Sequence, residues 1–187
     1  MKFSERFISF VSNRRTAAFS VMVTALLGAY LSSIDTKLSN AMINLVSLQF
    51  TFSGEIFRSL TAGWSDSTIQ LYVKYLRIDM AFALCYALTL SSVLTSMWLH
   101  LTSLCEGNPP AKAVMIFRIS IILPVLAAAA NIGEDILLYS AARLGFTQYP
   151  VLQAQSSLAV AKYAFLVGSV AGIMAILFMR RRRMGLR

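Results

Sequence analysis

The sequence predicts an all-α protein, a four-helix transmembrane bundle with a short amphipathic helix between the first and second spans. Of its 187 residues, 57% are hydrophobic and only 13% are charged, whereas a soluble domain carries about 25% charged residues. The apolar residues form long runs that are separated by charges, glycines and prolines. We therefore treat 1–187 as a single integral membrane domain. The composition excludes an ordinary soluble enzyme, a disordered chain and a coiled coil.

The N-terminal region contains two predicted elements. Phe3, Phe7, Phe10 and Val11 recur at spacings of three and four, which predicts an interfacial amphipathic helix. A frayed terminus is the alternative. The first span is 16–34, an apolar run with a charged residue on each side. A cleaved secretory signal peptide is the competing interpretation of this run.

The segment 41–64 is predicted to lie at the membrane interface. Its apolar stretch 41–52 is too short to cross about 30 Å of hydrocarbon, so we expect it to be interfacial or re-entrant. Ser53 is a suitable N-cap for a short amphipathic helix over 54–62, with Gly63 as its stop. Trp64, Tyr72 and Tyr75 are residue types typical of the headgroup region.

Three long apolar runs predict the remaining spans, at about 78–104, 112–144 and 151–179. The sequence EGNPP at 106–110 predicts a sharp turn between the second and third spans. Pro124 lies inside the third span, where we expect a kink rather than a break. Gly145 and Pro150 predict the turn before the fourth span.

Basic residues at both ends of the chain predict its orientation. The net charge is +9, and basic clusters beside apolar spans are typical of cytoplasmic anchors on anionic lipid. Four spans then place both termini in the cytoplasm, and we expect a protein of the bacterial inner (plasma) membrane. A nucleic-acid partner is not expected, because no groove of interleaved basic and aromatic residues accompanies the charge. The clusters comprise Lys2, Arg6, Arg14, Arg15, Arg180, Arg181, Arg182, Arg183 and Arg187.

The sequence contains no familiar catalytic or cofactor-binding motif. No P-loop, GxGxxG, GxSxG or HExxH pattern is present. With one histidine and no cluster of Cys and His, a metal site built from this chain alone is not expected. Cys85 and Cys105 would lie about 30 Å apart on one helix, too far for a disulfide. We expect no cofactor.

Small residues predict how the third and fourth spans pack. Ala164, Gly168 and Gly172 follow one another at four-residue steps, and small side chains let helix backbones approach closely. We expect them to contact the third span near the alanines at 127–130. A dimer interface is the alternative.

Ionisable residues of three spans are predicted to lie at one depth. Depth is counted from the cytoplasmic end of each span, at about 1.5 Å per residue. Lys162 then lies at about 27 Å, Glu134 at about 32 Å and Asp79 at about 33 Å. Charges in hydrocarbon are costly unless they meet protein groups or water, so we expect a hydrogen-bonded cluster. The alternative is a set of helix-end residues wetted by headgroups, with Lys162 snorkelling outward. The predicted ligand-binding residues are Asp79, Tyr86, Asn131, Glu134, Asp135 and Lys162.

The second span also carries a seam of mostly polar residues at alternating three- and four-residue steps. The seam comprises Asp79, Phe82, Tyr86, Thr89, Val93, Ser96, His100 and Ser103. A proton or solute path is one interpretation of this seam. Interhelical hydrogen bonding is the other.

Two patterns resemble those of uncharacterised bacterial four-span membrane proteins. They are L-x2-D-x2-F-x3-Y, from Leu76 to Tyr86, and P-x6-N-x2-E, from Pro124 to Glu134. A Leu-Gln pair at 48–49 and a short helix that ends in a tryptophan are similar as well. The resemblance implies a four-helix architecture and draws attention to Asp79 and Glu134. It implies no activity.

From these features we expect a non-catalytic membrane protein, either an accessory or interaction subunit or a binder of a lipid-like ligand. Its expected partners are membrane lipids, subunits of a membrane complex or a second copy of the chain. The first alternative is a membrane enzyme acting on a lipidic or isoprenoid substrate, with Asp79 and Glu134 as candidate catalytic acid and base. The second is a proton-coupled carrier that uses the polar seam, although no internal repeat is visible.

Overall fold

The structure, a computed structural model, describes the backbone of residues 3–184 and the side chains of residues 7–182, and within this part of the chain every regular element is a helix. Four helical segments are long and apolar enough to cross a membrane, so the predicted all-α fold with four candidate spans is confirmed. The helices are α1 (Phe3–Val11), α2 (Arg14–Asn40), α3 (Leu45–Gln49), α4 (Gly54–Thr61), α5 (Asp66–Leu104), α6 (Ala111–Ser120), α7 (Leu123–Leu144) and α8 (Tyr149–Met184).

The four long segments form a bundle in which α5 is the central helix. It packs along α2, α7 and α8, and α7 also packs along most of α8. Helix α2 contacts α5 extensively but makes no comparable contact with α7 or α8 within the described residues. The bundle is therefore a three-helix core of α5, α7 and α8, with α2 attached to one side of α5.

The helices extend beyond the predicted spans because their ends are capped well outside the apolar runs. Asn13 precedes α2, and its side chain accepts a hydrogen bond from the Arg15 amide at 2.9 Å. Ser65 caps α5 by accepting from the Thr68 amide at 3.3 Å. Helix α5 thus begins at Asp66 rather than near residue 78. By contrast, α7 ends at Leu144, as predicted, where Gly145 with φ of 72° takes the left-handed conformation that glycine adopts readily.

The third span is interrupted at Ile121 and Ile122, which separate α6 from α7, but both residues keep right-handed helical dihedral angles. This interruption agrees with the predicted kink at Pro124. Pro124 has no N–H to donate to the Ser120 carbonyl, so one hydrogen bond of the helix is missing at this point. The two parts still follow one another closely enough to form a single candidate span.

Two short helices, α3 and α4, lie between α2 and α5. Asn44 caps α3 by accepting from the Ser47 amide at 3.1 Å, whereas the side chain of Ser53 makes no capping hydrogen bond to α4. Phe57 of α4 is buried against the bundle. The interfacial location and amphipathic role of this segment stay predictions.

Helix α1 lies against α2 and α5. Val11 is buried and Phe10 is exposed, so these two neighbours face different surroundings. The side chain of Phe3 lies outside the described part of the chain, and the interfacial role of α1 stays a prediction.

The core changes character along the bundle axis. At the end formed by α3 and α4, here called the capped end, apolar side chains pack together, among them Leu38, Leu48, Phe57 and Tyr72. Next comes a layer of buried polar residues, and then three alanines, Ala83, Ala87 and Ala128. The opposite end, here called the aromatic end, is apolar around the stacked rings of Trp98 and Phe117, whose centroids are 4.6 Å apart.

Candidate ligand-binding site

A buried polar cluster joins α5, α7 and α8 in the middle of the three-helix core. The Asn131 side-chain amide donates to Asp79 Oδ2 at 3.2 Å and to Asp135 Oδ2 at 2.9 Å. Lys162 Nζ lies 2.6 Å from Glu134 Oε2, an ion pair between α8 and α7. We call these five residues the polar cluster. The structure thus brings together five of the six residues predicted to bind a ligand. The sixth, Tyr86, lies about two turns from Asp79 on α5.

The polar cluster is buried by protein, not wetted at helix ends. Glu134 and Asp135 are 0% exposed, and Lys162 is 4% exposed. Both α5 and α7 continue past the cluster into the capped end, where Leu76 and Leu138 are buried. The alternative in which Lys162 snorkels outward is therefore wrong. Burial of charged groups is costly unless they are paired and hydrogen-bonded, which is the arrangement seen for most atoms here.

A cavity of about 410 Å³ opens beside the polar cluster; we call it the lateral cavity. Its lining comes from α2, α3, α5, α7 and α8, and it faces the gap that α2 and α8 leave on one side of α5. Asp79, Asn131 and Lys162 form its polar wall, whereas Glu134 and Asp135 lie behind this wall. The lining residues are Thr24, Gln49, Tyr75, Asp79, Phe82, Tyr86, Thr89, Leu90, Asn131, Lys162, Tyr163 and Leu166.

Helix α2 contributes Thr24 to the lining of the lateral cavity and is held to α5 by a few specific contacts. The hydroxyls of Thr24 and Thr89 are hydrogen-bonded at 3.0 Å. Gly28 lies close to Phe82, and the ammonium of Lys74 lies 5.4 Å from the centroid of the Tyr30 ring. These contacts hold α2 to α5 without closing the gap toward α8.

A second cavity, of about 580 Å³, lies at the capped end; we call it the terminal cavity. It shares Gln49, Tyr75 and Tyr163 with the lateral cavity. The Tyr163 hydroxyl donates to Gln49 Oε1 at 3.2 Å, and the Gln155 side chain donates to the Gln49 carbonyl at 2.7 Å. Helix α3 is thereby fixed to α8 at the boundary between the two cavities.

Sequence reasoning missed the part of the site that comes from α3 and from aromatic residues. In the sequence Gln49 was noted only as part of the Leu-Gln pair at 48–49, and nothing in its spacing connects it with Tyr163. Tyr72 and Tyr75 were predicted at the headgroups. In the structure Tyr72 is buried with its ring edge-on to Trp64 at 5.1 Å, and Tyr75 lines both cavities.

The predicted polar seam of α5 does not continue through the bundle. Asp79 and Thr89 face the lateral cavity, but Val93, Ser96, His100 and Ser103 are exposed. Beyond the alanine layer, the buried polar residues of α5 are instead Ser91, Ser92 and Thr95. The interpretation of the seam as one path from Asp79 to His100 is therefore wrong.

The predicted packing residues of α8 have different surroundings. A Cβ atom on Gly172 would collide with the Ser120 side chain, and one on Gly168 would lie 2.8 Å from Leu123 Cδ1. Both glycines thus face the break between α6 and α7. Ala164 is exposed and does not belong to this contact. The buried positions of α8 follow one another at alternating steps of three and four residues. Positions spaced by four residues each time therefore move around the helix, away from its buried side.

The chemistry available at this site is polar recognition. Among the described side chains, no group of three or more His, Cys, Asp or Glu is arranged to hold a metal ion. Cys85 and Cys105 are both free. The lateral cavity offers a carboxylate, an amide, a paired ammonium and phenol groups at one end, and apolar side chains such as Leu90 and Leu166 at the other.

Comparison with known proteins gives no family for this chain. No protein-family model matches it, and no curated protein or solved structure is significantly similar to it.

Proposed function

We propose that this chain is a small, non-catalytic membrane protein that binds an amphipathic, lipid-like ligand in the lateral cavity. In this proposal the polar head of the ligand contacts Asp79, Asn131 and Tyr86, and its tail leaves between α2 and α8 into the bilayer. The observation that carries the proposal is a cavity with a buried polar wall that opens between two apolar helices. Its volume of about 410 Å³ is within the range typical of ligand pockets.

The proposed membrane arrangement follows the charge pattern. We place the protein in the bacterial inner membrane with both termini in the cytoplasm, so that the aromatic end faces the cytoplasm. The capped end and the terminal cavity then face the opposite side. Partner subunits of a membrane complex, or a second copy of the chain, remain proposed interaction partners.

The membrane-enzyme alternative has less support from the geometry. Glu134 is ion-paired with Lys162 and does not line the lateral cavity, so it is poorly placed to exchange a proton with a substrate there. The carrier alternative also has less support, because the residues of the polar seam beyond Thr89 are exposed.

The proposal is tested by filling the cavity. We expect the full chain, purified in native-lipid nanodiscs, to retain a non-protein amphiphile that native mass spectrometry detects. Leu166→Trp places an indole in the cavity and should remove that mass. Val167→Trp is the matched control, because Val167 is the next residue of α8 and is 69% exposed.

Two results would contradict the proposal. One is a wild-type protein that never carries a bound amphiphile above the level of empty nanodiscs. The other is a bound mass that survives Leu166→Trp as well as it survives Val167→Trp.

A further inference from the structure

The polar cluster contains more hydrogen-bond acceptors than donors. The side-chain amide of Asn131 already donates to both Asp79 and Asp135. Within the described residues, Glu134 Oε1 and Asp135 Oδ1 are buried and accept no hydrogen bond, although both side chains are 0% exposed. The Tyr86 hydroxyl, in a residue that lines the lateral cavity, is also buried without a partner there. Glu134 and Asp135 lie behind the polar wall, so of these three groups only the Tyr86 hydroxyl is within reach of a ligand in the lateral cavity. A buried hydroxyl without a partner, next to the carboxylate of Asp79, points to a ligand with a polar head that forms hydrogen bonds.

The same cluster contains more acids than bases. Lys162 and Glu134 form a neutral pair. Asp79 and Asp135 are then joined only by Asn131, whose amide carries no charge. Two carboxylates this close cannot both be ionised in a low-dielectric interior without a compensating cation. The other titratable groups around Asp79 are Tyr72, Tyr75 and Tyr86 of α5, Glu134 of α7, and Lys162 and Tyr163 of α8, whereas α2 and α3 contribute Thr24 and Gln49.

We propose that the ligand of the lateral cavity has a primary ammonium head that binds Asp79, and that its binding displaces one proton shared by the Asp79–Asn131–Asp135 bridge. This inference rests on the proposed function of the cavity and specifies the class of ligand. Without ligand, the bridge holds one proton and one negative charge. With ligand, the ammonium charge replaces that of the released proton, so the charge of the site is conserved.

A primary amine suits this site better than the other common cations. It supplies positive charge together with three N–H donors for Asp79, the Tyr86 hydroxyl and nearby oxygens. A quaternary ammonium carries the charge but has no donor. The rings of Phe82 and Tyr86, which are 5.5 Å apart and edge-to-face, line the cavity beside Asp79 and can contact the alkyl chain.

The released proton has an exit that does not cross the apolar part of the bundle. Tyr75, Gln49 and Tyr163 line both cavities, so the polar wall of the lateral cavity adjoins the terminal cavity. The terminal cavity includes Asp35 and Ser39, two exposed polar residues at the end of α2. The head of the ligand and the proton can therefore exchange at the capped end.

The test compares three amphiphiles with the same chain length on the full protein in nanodiscs: dodecylamine, dodecyltrimethylammonium and dodecanol. We expect dodecylamine to bind at least about tenfold more tightly than either of the others, after subtraction of empty nanodiscs. Calorimetry in two buffers with different ionisation enthalpies should show release of about one proton per bound amine. Dodecanol should bind without proton release.

Two variants separate the roles of the carboxylates. Asp79→Asn should abolish the preference for the amine while dodecanol still binds, which also shows that the variant is folded. Asp135→Asn should keep the preference for the amine but abolish most of the proton release. Asp66→Asn, which removes an exposed acid at the start of α5, is the matched control and should leave both quantities unchanged.

The outcomes distinguish this inference from the proposed function. If none of the amphiphiles binds above empty nanodiscs, the proposed function fails and this inference fails with it. If dodecanol or the quaternary amphiphile binds as tightly as the amine, or if amine binding releases no proton, the inference fails and the lipid-like ligand of the proposed function stands.

Discussion

The buried polar residues in the middle of the bundle, here called the polar layer, and the aromatic end both involve α5 and α8 but pack in opposite ways. Helix α7 completes the polar layer, whereas α6 completes the aromatic end. At the aromatic end, Trp98 and Phe117 stack with 7° between their planes, and Gly172 lets α8 approach Ser120 closely. In the polar layer, buried acids are held by one amide and one ammonium, and two cavities lie beside them. Close apolar packing contributes stability, whereas buried charge that is only partly satisfied reduces it.

This contrast indicates where the bundle can tolerate change. In lipid, helices associate through close packing and interhelical hydrogen bonds rather than through the hydrophobic effect. The aromatic end and the Gly172 contact provide the packing that keeps α5, α6 and α8 together. In the polar layer, the Asn131–Asp79 hydrogen bond joins α7 to α5 and the Lys162–Glu134 ion pair joins α8 to α7, so substitutions there are expected to cost the most stability.

The largest effect is expected when one partner of the buried ion pair is removed. Lys162→Met leaves Glu134 buried without its cation, which should lower the free energy of unfolding by about 3–5 kcal/mol. Thermal unfolding in detergent measures this change. Lys74→Met is the control, since Lys74 is an exposed lysine whose ammonium lies over the Tyr30 ring, and it should cost less than about 1 kcal/mol.

A second substitution sharpens this prediction. Adding Glu134→Gln to Lys162→Met removes the uncompensated charge and should restore most of the lost stability. If Lys162→Met is no more destabilising than Lys74→Met, or if Glu134→Gln gives no recovery, then the polar layer does not contain the ion pair described here.

An intermediate effect is expected at the close contact between α8 and α6. Gly172→Ala places a methyl group against the Ser120 side chain, and this overpacking should cost about 1–3 kcal/mol. Gly168→Ala is the matched control, because its new methyl would meet the flexible end of Leu123, which can move aside. Equal melting temperatures for the two variants would contradict the close approach at Gly172.

The smallest effect is expected at the boundary between the two cavities. Tyr163→Phe removes the hydrogen bond to Gln49 but keeps the ring beside Phe50, so it should cost about 0.5–1.5 kcal/mol. Hydrogen exchange of the amides in 45–50 should become faster, while exchange in the core of α5 stays unchanged. Tyr149→Phe, at an exposed tyrosine, is the control. Unchanged exchange in 45–50 would mean that Tyr163 does not hold α3.

The sequence was sufficient to predict the candidate spans and the common depth of the charged residues. Apolar runs of helical length identify membrane spans, and a fixed rise per residue converts sequence position into depth. That arithmetic placed Asp79, Glu134 and Lys162 at one level, where the structure has the polar cluster. Their burial could not be predicted, because it depends on how far α5 and α7 continue past them.

The rotation of each helix about its own axis and the long-range contacts could not be predicted from the sequence. The residues Ser96 and His100 suggested a buried seam, but Ser92 and Thr95 offered an equally polar stripe on the neighbouring side of α5. Serine and threonine occur on both the buried and the exposed sides of α5, so their presence does not determine which side is buried. The contact between Gln49 and Tyr163 joins residues on α3 and α8 that no local pattern relates.

An experimental structure of the full chain crystallised from a lipidic mesophase with dodecylamine tests the central claim most directly. We expect Lys162 to contact Glu134, Asn131 to bridge Asp79 and Asp135, and elongated density to run from Asp79 out between α2 and α8. The claim would be contradicted by a map in which Asp79 and Glu134 point apart into water. It would also be contradicted by a map in which α2 and α8 close the lateral cavity and no density lies beside Asp79.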